Sequence, residues 1–195
     1  MCALVAGAAL WAVPAAGQQV TTDSTRAELQ RRIMRWVLPG DEHRALATLA
    51  GDWTLTVALP GAPGRAPTVM GGKATARSTV GDRFVVIEGR VTGERSETIE
   101  TMIVLGFDGR AGEYTYIGFD SFGTYYVTAA GAGDLTTGAI ELEGRDVDSS
   151  GGTKHFTVHV SRRTADELDI AIRFQNPSGG SFTVMESKYR RAPKQ

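Results

Sequence analysis

Three charges interrupt otherwise apolar, strand-like runs in this chain, and such positions are the first place to look for chemistry. Arg83 and Glu88 sit in "DRFVVIEGR", and Glu186 sits in "SFTVMESKYR". At a period of two, Glu88 shares a face with Phe84 and Val86, and Glu186 shares one with Phe182 and Val184. A carboxylate turned into a core needs a cation or hydrogen-bond donors, and Arg83 or Arg90 is placed to supply one. Such a pair would hold the polar group of a ligand, or would serve as a structural ion pair at a barrel rim. Four of the five tyrosines, Tyr114, Tyr116, Tyr125 and Tyr126, fall on one predicted hairpin, with Tyr114 and Tyr116 on the face of Gly118 and Asp120. Amphipathic rings beside a carboxylate suit a pocket for a mixed polar and apolar molecule. They suit cross-strand aromatic packing equally.

Histidines offer less. His155 and His159 share a strand face but stand about 13 Å apart along an extended chain, too far to hold one metal together. Both oppose Phe156, Val158 and Val160, which places the imidazoles outward. His43, in a short helix, is expected to hydrogen-bond backbone. No haem or other cofactor is predicted. No G-x-S-x-G, phosphate-binding loop, H-E-x-x-H or catalytic cysteine is present. Asp120, Ser121 and Glu88 fit a hydrolytic scheme by residue type only.

The elements that must position these residues are mostly strands. From Trp53 onward the apolar period is two, in about ten runs: 53–59, 70–79, 83–91, 99–107, 113–119, 123–130, 138–146, 153–161, 167–175 and 181–190. Turn-forming stretches such as "PGAPGRAP", "DGRAG" and "NPSGG" separate them, so neighbours pair most simply as hairpins. Ten strands in sequence without intervening helices either leave two edges or close, and closure removes the edges. The expected fold is therefore an all-β, closed, antiparallel up-and-down barrel with N-terminal helices. "FVVIEG" and "TMIVLGF" are apolar on both faces, which predicts helices covering part of the outside.

Two helices precede the strands. One spans "TDSTRAELQRRIMRWV", with Thr25 and Glu28 at capping-box spacing and Leu29, Ile33, Trp36 and Val37 in one stripe. The other is "DEHRALATLAG", with Asp41 as its cap. In "LAGDWTL", Gly51 ends this helix at positive φ, and Trp53 becomes the first large inward side chain, closing one end.

The formal net charge is −1 and no basic stripe appears, which argues against a nucleic-acid partner. Tyr189, Arg190 and Arg191 with Lys194 read as a solvated tail. Residues 1–17, apolar from Cys2 to Ala16 and ending in small residues, read as a signal peptide. That implies an exported protein, periplasmic or secreted, with a helix over 18–38, a barrel domain over 39–191, and no transmembrane span after the leader. Cys2 is the one cysteine, so the mature domain would have no disulfide.

The strings "PGDEHRALATLAGDWTL", "VGDRFVVIEG", "VLGFDGRAGEYTYIGFDSFGT" and "FTVMESKYRR", in this order from about Pro39 to Arg190, resemble the DUF1579 family of bacterial proteins of unknown function. The resemblance implies a calycin- or lipocalin-like barrel with an interior cavity, related in shape to nitrobindin-like haem-binding barrels. It implies no reaction. The family's G-G-R-F is Gly81-Asp82-Arg83-Phe84 here, its G-Y-D is Gly106-Phe107-Asp108, and Gly118 stands where the family commonly has Trp. Losing that indole would free roughly a hundred cubic ångströms unless Phe119, Phe122 or a tyrosine fills the space.

The functional expectation is a barrel holding a small hydrophobic or amphipathic molecule, with Trp53, Arg83, Glu88, Tyr116, Asp120, Tyr125 and Glu186 as ligand-binding residues. Two other readings stay open: an enzyme using an inward carboxylate as acid or base, and an interaction module with a filled barrel and an apolar patch over Leu29 to Val37.

Overall fold

The computed structural model describes residues 16–61, 64–147, 150–176 and 179–193. The leader read at residues 1–17 therefore lies, but for its last two residues, outside the described residues. Two helices come first, α1 (Ala16–Val37) and α2 (Asp41–Ala47). Ten strands follow: β1 (Gly51–Leu59), β2 (Thr68–Thr79), β3 (Phe84–Thr92), β4 (Thr98–Asp108), β5 (Glu113–Asp120), β6 (Tyr126–Asp134), β7 (Ala139–Val147), β8 (Thr153–Thr164), β9 (Glu167–Gln175) and β10 (Ser181–Arg191). Each strand pairs antiparallel with the next, and β1 pairs with β10 to close the barrel. The all-β, closed up-and-down architecture expected from the sequence is the one observed.

Strict alternation turns one face of each strand inward. Leu55 and Val57 of β1, Val85, Ile87 and Val91 of β3, Ile103 and Leu105 of β4, Leu142 of β7 and Phe156, Val158 and Val160 of β8 are all buried. The apolar outer positions of β3 and β4 have a different explanation from the one expected. Side chains of α1 from Asp23 to Val37 are exposed, so that helix does not shelter them. Val86, Val104 and Ile117 instead lie side by side across β3, β4 and β5 and half-bury one another.

Both helix starts differ from expectation. Helix α1 begins at Ala16, so Thr25 and Glu28 lie inside it rather than forming an N-terminal box. The N-cap of α2 is Gly40, whose N–H donates to His43 Nδ1 at 3.0 Å, while Asp41 pairs with Arg44. The imidazole thus does the capping through Nδ1, consistent with the backbone bond expected of His43.

One end of the barrel is a floor. Helix α2 sets Ala45 and Leu46 into it, followed by Leu49, and His43 meets Phe107 edge-on at 5.7 Å. Trp53 is 2% exposed, and its Nε1–H donates to Leu49 O at 3.0 Å. The plug role expected of Trp53 is therefore observed. The C-terminal arginines are not a solvated tail. Arg190 pairs with Glu167 at 2.6 Å. The guanidinium of Arg191 lies 4.0 Å from the Trp53 ring centroid and donates to Ala50 O (2.6 Å), Thr48 O (3.1 Å) and Ala165 O (3.3 Å). Gly51, at φ +137°, passes so close beneath that a Cβ there would strike the same guanidinium.

Candidate functional site: a cavity open at the other end

The barrel interior is not filled. A cavity of about 350 Å³ occupies the half remote from α2, within the size range typical of small-molecule sites. Its wall is apolar: Leu55, Val57 and Leu59 of β1, Val91 of β3, Ile99 and Ile103 of β4, and Phe156, Ile172 and Phe174 of β8 and β9. Its mouth carries Phe122 and Tyr125, 71% and 62% exposed. These two sit just before β6, which starts three residues later than the sequence pattern indicates, so Tyr125 reaches the cavity from the rim and not from a strand.

Tyr116 is the centre of the polar wall. It is 3% exposed and lines the cavity from β5. Its ring lies over Gly118, with the hydroxyl 2.6 Å from where a Cβ would be. The space over Gly118 is thus taken by a tyrosine two residues earlier, and any side chain at Gly118 would displace that ring. Burial pushes the Tyr116 phenol well above its usual value, with smaller contributions from Tyr189 and Asp120. Tyr189, 2% exposed, is raised by burial too, and the Ser187 hydroxyl sits beside its phenol oxygen. Both phenols therefore stay protonated donors across the working pH range. Asp120 lines the mouth, with Oδ1 accepting the Phe122 N–H at 2.8 Å. Asp146 lines it from β7.

Of the seven residues predicted to bind ligand, Tyr116, Asp120 and Tyr125 line the cavity. Trp53 does not; it belongs to the floor. Arg83 lies in the turn before β3, where it donates to Val37 O (2.7 Å), Gly81 O (3.1 Å) and Val80 O (3.3 Å), tying the end of α1 to the barrel. Glu88 shares its face with Phe84 and Val86 as predicted, but that face is the outer one. Its partner is Arg77 on β2, whose hydrogen bonds hold the Glu88 carboxyl below the usual range, while Arg90 pairs with Glu100 at 3.0 Å. Glu186 also faces outward. A β-bulge between Thr183 and Met185 inserts a residue into β10, so Phe182 points inward but the alternation does not carry that face on to Glu186. Met185, Ser187 and Tyr189 point inward instead, and sequence alternation from Phe182 misses all three. A signal for them exists: Tyr189 pairs with Leu55 and with inward Leu168.

The three imidazoles all lie away from the cavity. His43 is in the floor, and His155 and His159 are on the outer face of β8, with His159 Nδ1 3.5 Å from Glu141 Oε2. No imidazole is placed to ligate a haem iron held inside. Among the described residues no group of three potential ligands is placed to hold a metal ion, and no helix is long and apolar enough to cross a membrane.

Residues 38–191 match the family described as "Protein of unknown function (DUF1579)". The chain belongs to the DUF1579 family. Among solved structures it is similar to Rv2717c from M. tuberculosis, at 15% identity and a TM-score of 0.56, with 79% of this chain and 99% of that one covered. That likeness shows the fold alone. Two further solved structures are also similar. One is a de novo designed fluorescence-activating β-barrel (12% identity, 76% and 97% covered, TM-score 0.42). The other is EF1p2_mFAP2b bound to DFHBI (8%, 78% and 100%, 0.42). No curated protein matches the chain. The pieces that carry the DUF1579 resemblance contribute His43, Gly51, Trp53, Tyr189 and Arg191 to the closed half of this barrel. The same pieces also line the cavity, with Leu55, Tyr116, Asp120, Ser187 and Tyr189 among its walls.

Proposed function

We propose that this DUF1579 protein binds and carries, or sequesters, a small, mainly apolar molecule inside the barrel. The observation that carries this reading is the cavity itself: about 350 Å³ of open volume under an apolar wall, with one end plugged and the other rimmed by aromatic side chains. Apolar contact supplies affinity in such a site, and a few polar groups orient the ligand. Of the carboxylates considered for acid–base chemistry, Glu88 and Glu186 face solvent and Asp120 alone lines the cavity, at its mouth, which supports carriage over catalysis. The apolar leader at residues 1–17 supports action outside the cytoplasm, and no cofactor enters the reading.

A neutral apolar fluorophore such as N-phenylnaphthylamine tests it. Titration should give saturable binding at one site per chain. Val127→Trp, which places an indole at the half-buried mouth of the cavity, should abolish that binding while the protein still unfolds cooperatively. Absence of saturable binding, or binding untouched by the tryptophan, would refute carriage. Native mass spectrometry of residues 18–195 would then identify a co-purified ligand by the mass lost on denaturation.

A further inference from the structure

The cavity's polar groups are of one electrostatic kind. Asp120 and Asp146 line it, together with the hydroxyls of Thr101, Tyr116, Tyr125, Ser187 and Tyr189, and no lysine or arginine does. On the Asp146 side of the mouth stands Lys154, while Lys73 and Arg90 lie with Asp120 around a groove on the outside of the barrel. The Lys154 ammonium lies over the Phe174 ring, 5.5 Å from the centroid, and in the β7–β8 register Lys154 stands opposite Asp146. Lys154 therefore offsets Asp146 on that side of the mouth. Asp120, on the other side, has no ion-pair partner among the described residues. Its Oδ1 is engaged by a backbone N–H, and Oδ2 has no such contact.

Tyr116 supplies the second, independent observation. It is buried, it borders the cavity, and its hydroxyl makes no hydrogen bond among the described residues. That hydroxyl borders the open volume of the cavity, where a ligand head group reaching it would give it a partner. Tyr116, Gly118 and Asp120 share the inward face of β5, and the tyrosine ring lies over Gly118, so the phenol oxygen is carried toward the Asp120 end of the strand.

We propose that the barrel selects amphiphiles with a protonated amine head, placed between Asp120 and Tyr116, and discriminates against carboxylates. This rests on the carriage reading and specifies its ligand. The ammonium donates to the Asp120 carboxylate and to the Tyr116 oxygen, and its alkyl or aryl body lies along Leu55, Ile103, Phe156 and Ile172. A carboxylate head in the same place meets Asp120 with like charge, and no lysine or arginine lines the cavity to receive it. An alcohol keeps the hydrogen bonds without the charge and ranks between the two.

The test compares decylamine, decanol and decanoate, each below its micelle-forming concentration, as displacers of N-phenylnaphthylamine from the full chain. The expected order is amine, alcohol, acid, with the amine about ten-fold tighter than the acid at low salt and the gap narrowing as salt screens the exposed mouth. Asp120→Asn keeps the oxygen that accepts the Phe122 N–H, so the rim turn persists. It should bring the amine-to-acid ratio close to one. Tyr116→Phe should weaken amine and alcohol together and leave the acid little changed. Decanoate binding as tightly as decylamine, or a ratio unmoved by Asp120→Asn, overturns the selectivity while carriage stands. If none of the three displaces the probe, and the probe itself does not bind, carriage fails as well.

Discussion

At the scale of single residues, the floor of the barrel rests on one close approach. Gly51 has φ +137°, a conformation that L side chains rarely adopt, and the Arg191 guanidinium occupies the place of its missing Cβ. That guanidinium is held by Ala50 O, Thr48 O and the face of Trp53, so it cannot swing away without losing charge-assisted hydrogen bonds and the ring contact. Gly51→Ala is therefore expected to destabilise the protein by about 2 to 4 kcal/mol, combining backbone strain with displacement of Arg191. Arg191→Met removes the obstruction but also the bonds, at about 2 kcal/mol by itself. The double variant separates the two causes. If collision contributes, Gly51→Ala costs less in the Arg191→Met background than alone, by about 1 kcal/mol in a denaturant double-mutant cycle. Strict additivity would mean that backbone strain at Gly51 is the whole effect.

At the scale of elements, ten strands and their turns are legible in the sequence because solvent outside and an apolar interior impose a period of two on nearly every run. The exceptions are physical. A bulge in β10 adds one residue, and alternation cannot register an insertion, so it places Glu186 inward where Met185, Ser187 and Tyr189 hold that face. Phase is the second difficulty. Alternation groups Glu88 with the correct neighbours, Phe84 and Val86, but those apolar residues lie on the outer face, half-buried by cross-strand partners, and composition alone does not distinguish such a face from an inner one. Tyr116 and Asp120 are recognisable because β5 carries no irregularity. The β2–β3 turn shows where the local sequence conflicts with its own geometry. Val80, Gly81 and Asp82 have φ of 53°, 61° and 62° in succession. Glycine and aspartate tolerate this, and Asp82 accepts the Ser78 hydroxyl at 2.6 Å. A β-branched residue does not tolerate it, and Val80 is 64% exposed, so little burial offsets the strain. Val80→Gly should raise stability by about 1 kcal/mol, the left-handed penalty of about 1 to 2 kcal/mol exceeding the entropic loss of about 0.5 to 1 kcal/mol. Denaturant midpoints read this directly, and an unchanged or lower midpoint would mean that the turn relaxes around valine without strain.

At the scale of the whole molecule, the closed barrel with its plug is complete without α1. The closing pair β1–β10, the Arg191 clamp and the α2 floor all involve residues from Gly40 onward. Described side chains of α1 lie in solvent, including Leu29, Ile33, Trp36 and Val37 at 42–54% exposure. The helix meets the barrel at its last turn, where Arg83 donates to Val37 O and Gly109 lies beside Arg35 O, exposed contacts worth about 1 kcal/mol. A chain beginning at residue 38 should therefore fold to the same barrel. Its thermal midpoint should lie within about 4 °C of the parent, the shift that 1 kcal/mol produces in a protein of this size. It should also bind N-phenylnaphthylamine with unchanged affinity, since no residue of α1 lines the cavity. Trp53 is the one tryptophan left in the truncated chain: its indole stays buried under Arg191 if the floor is intact, and iodide should then quench its fluorescence little. A midpoint lowered by much more than 4 °C, or a Trp53 that becomes open to quencher, would show that α1 supports the floor through its tether, and that the exposed apolar stripe is part of the folding unit rather than an appendage to it.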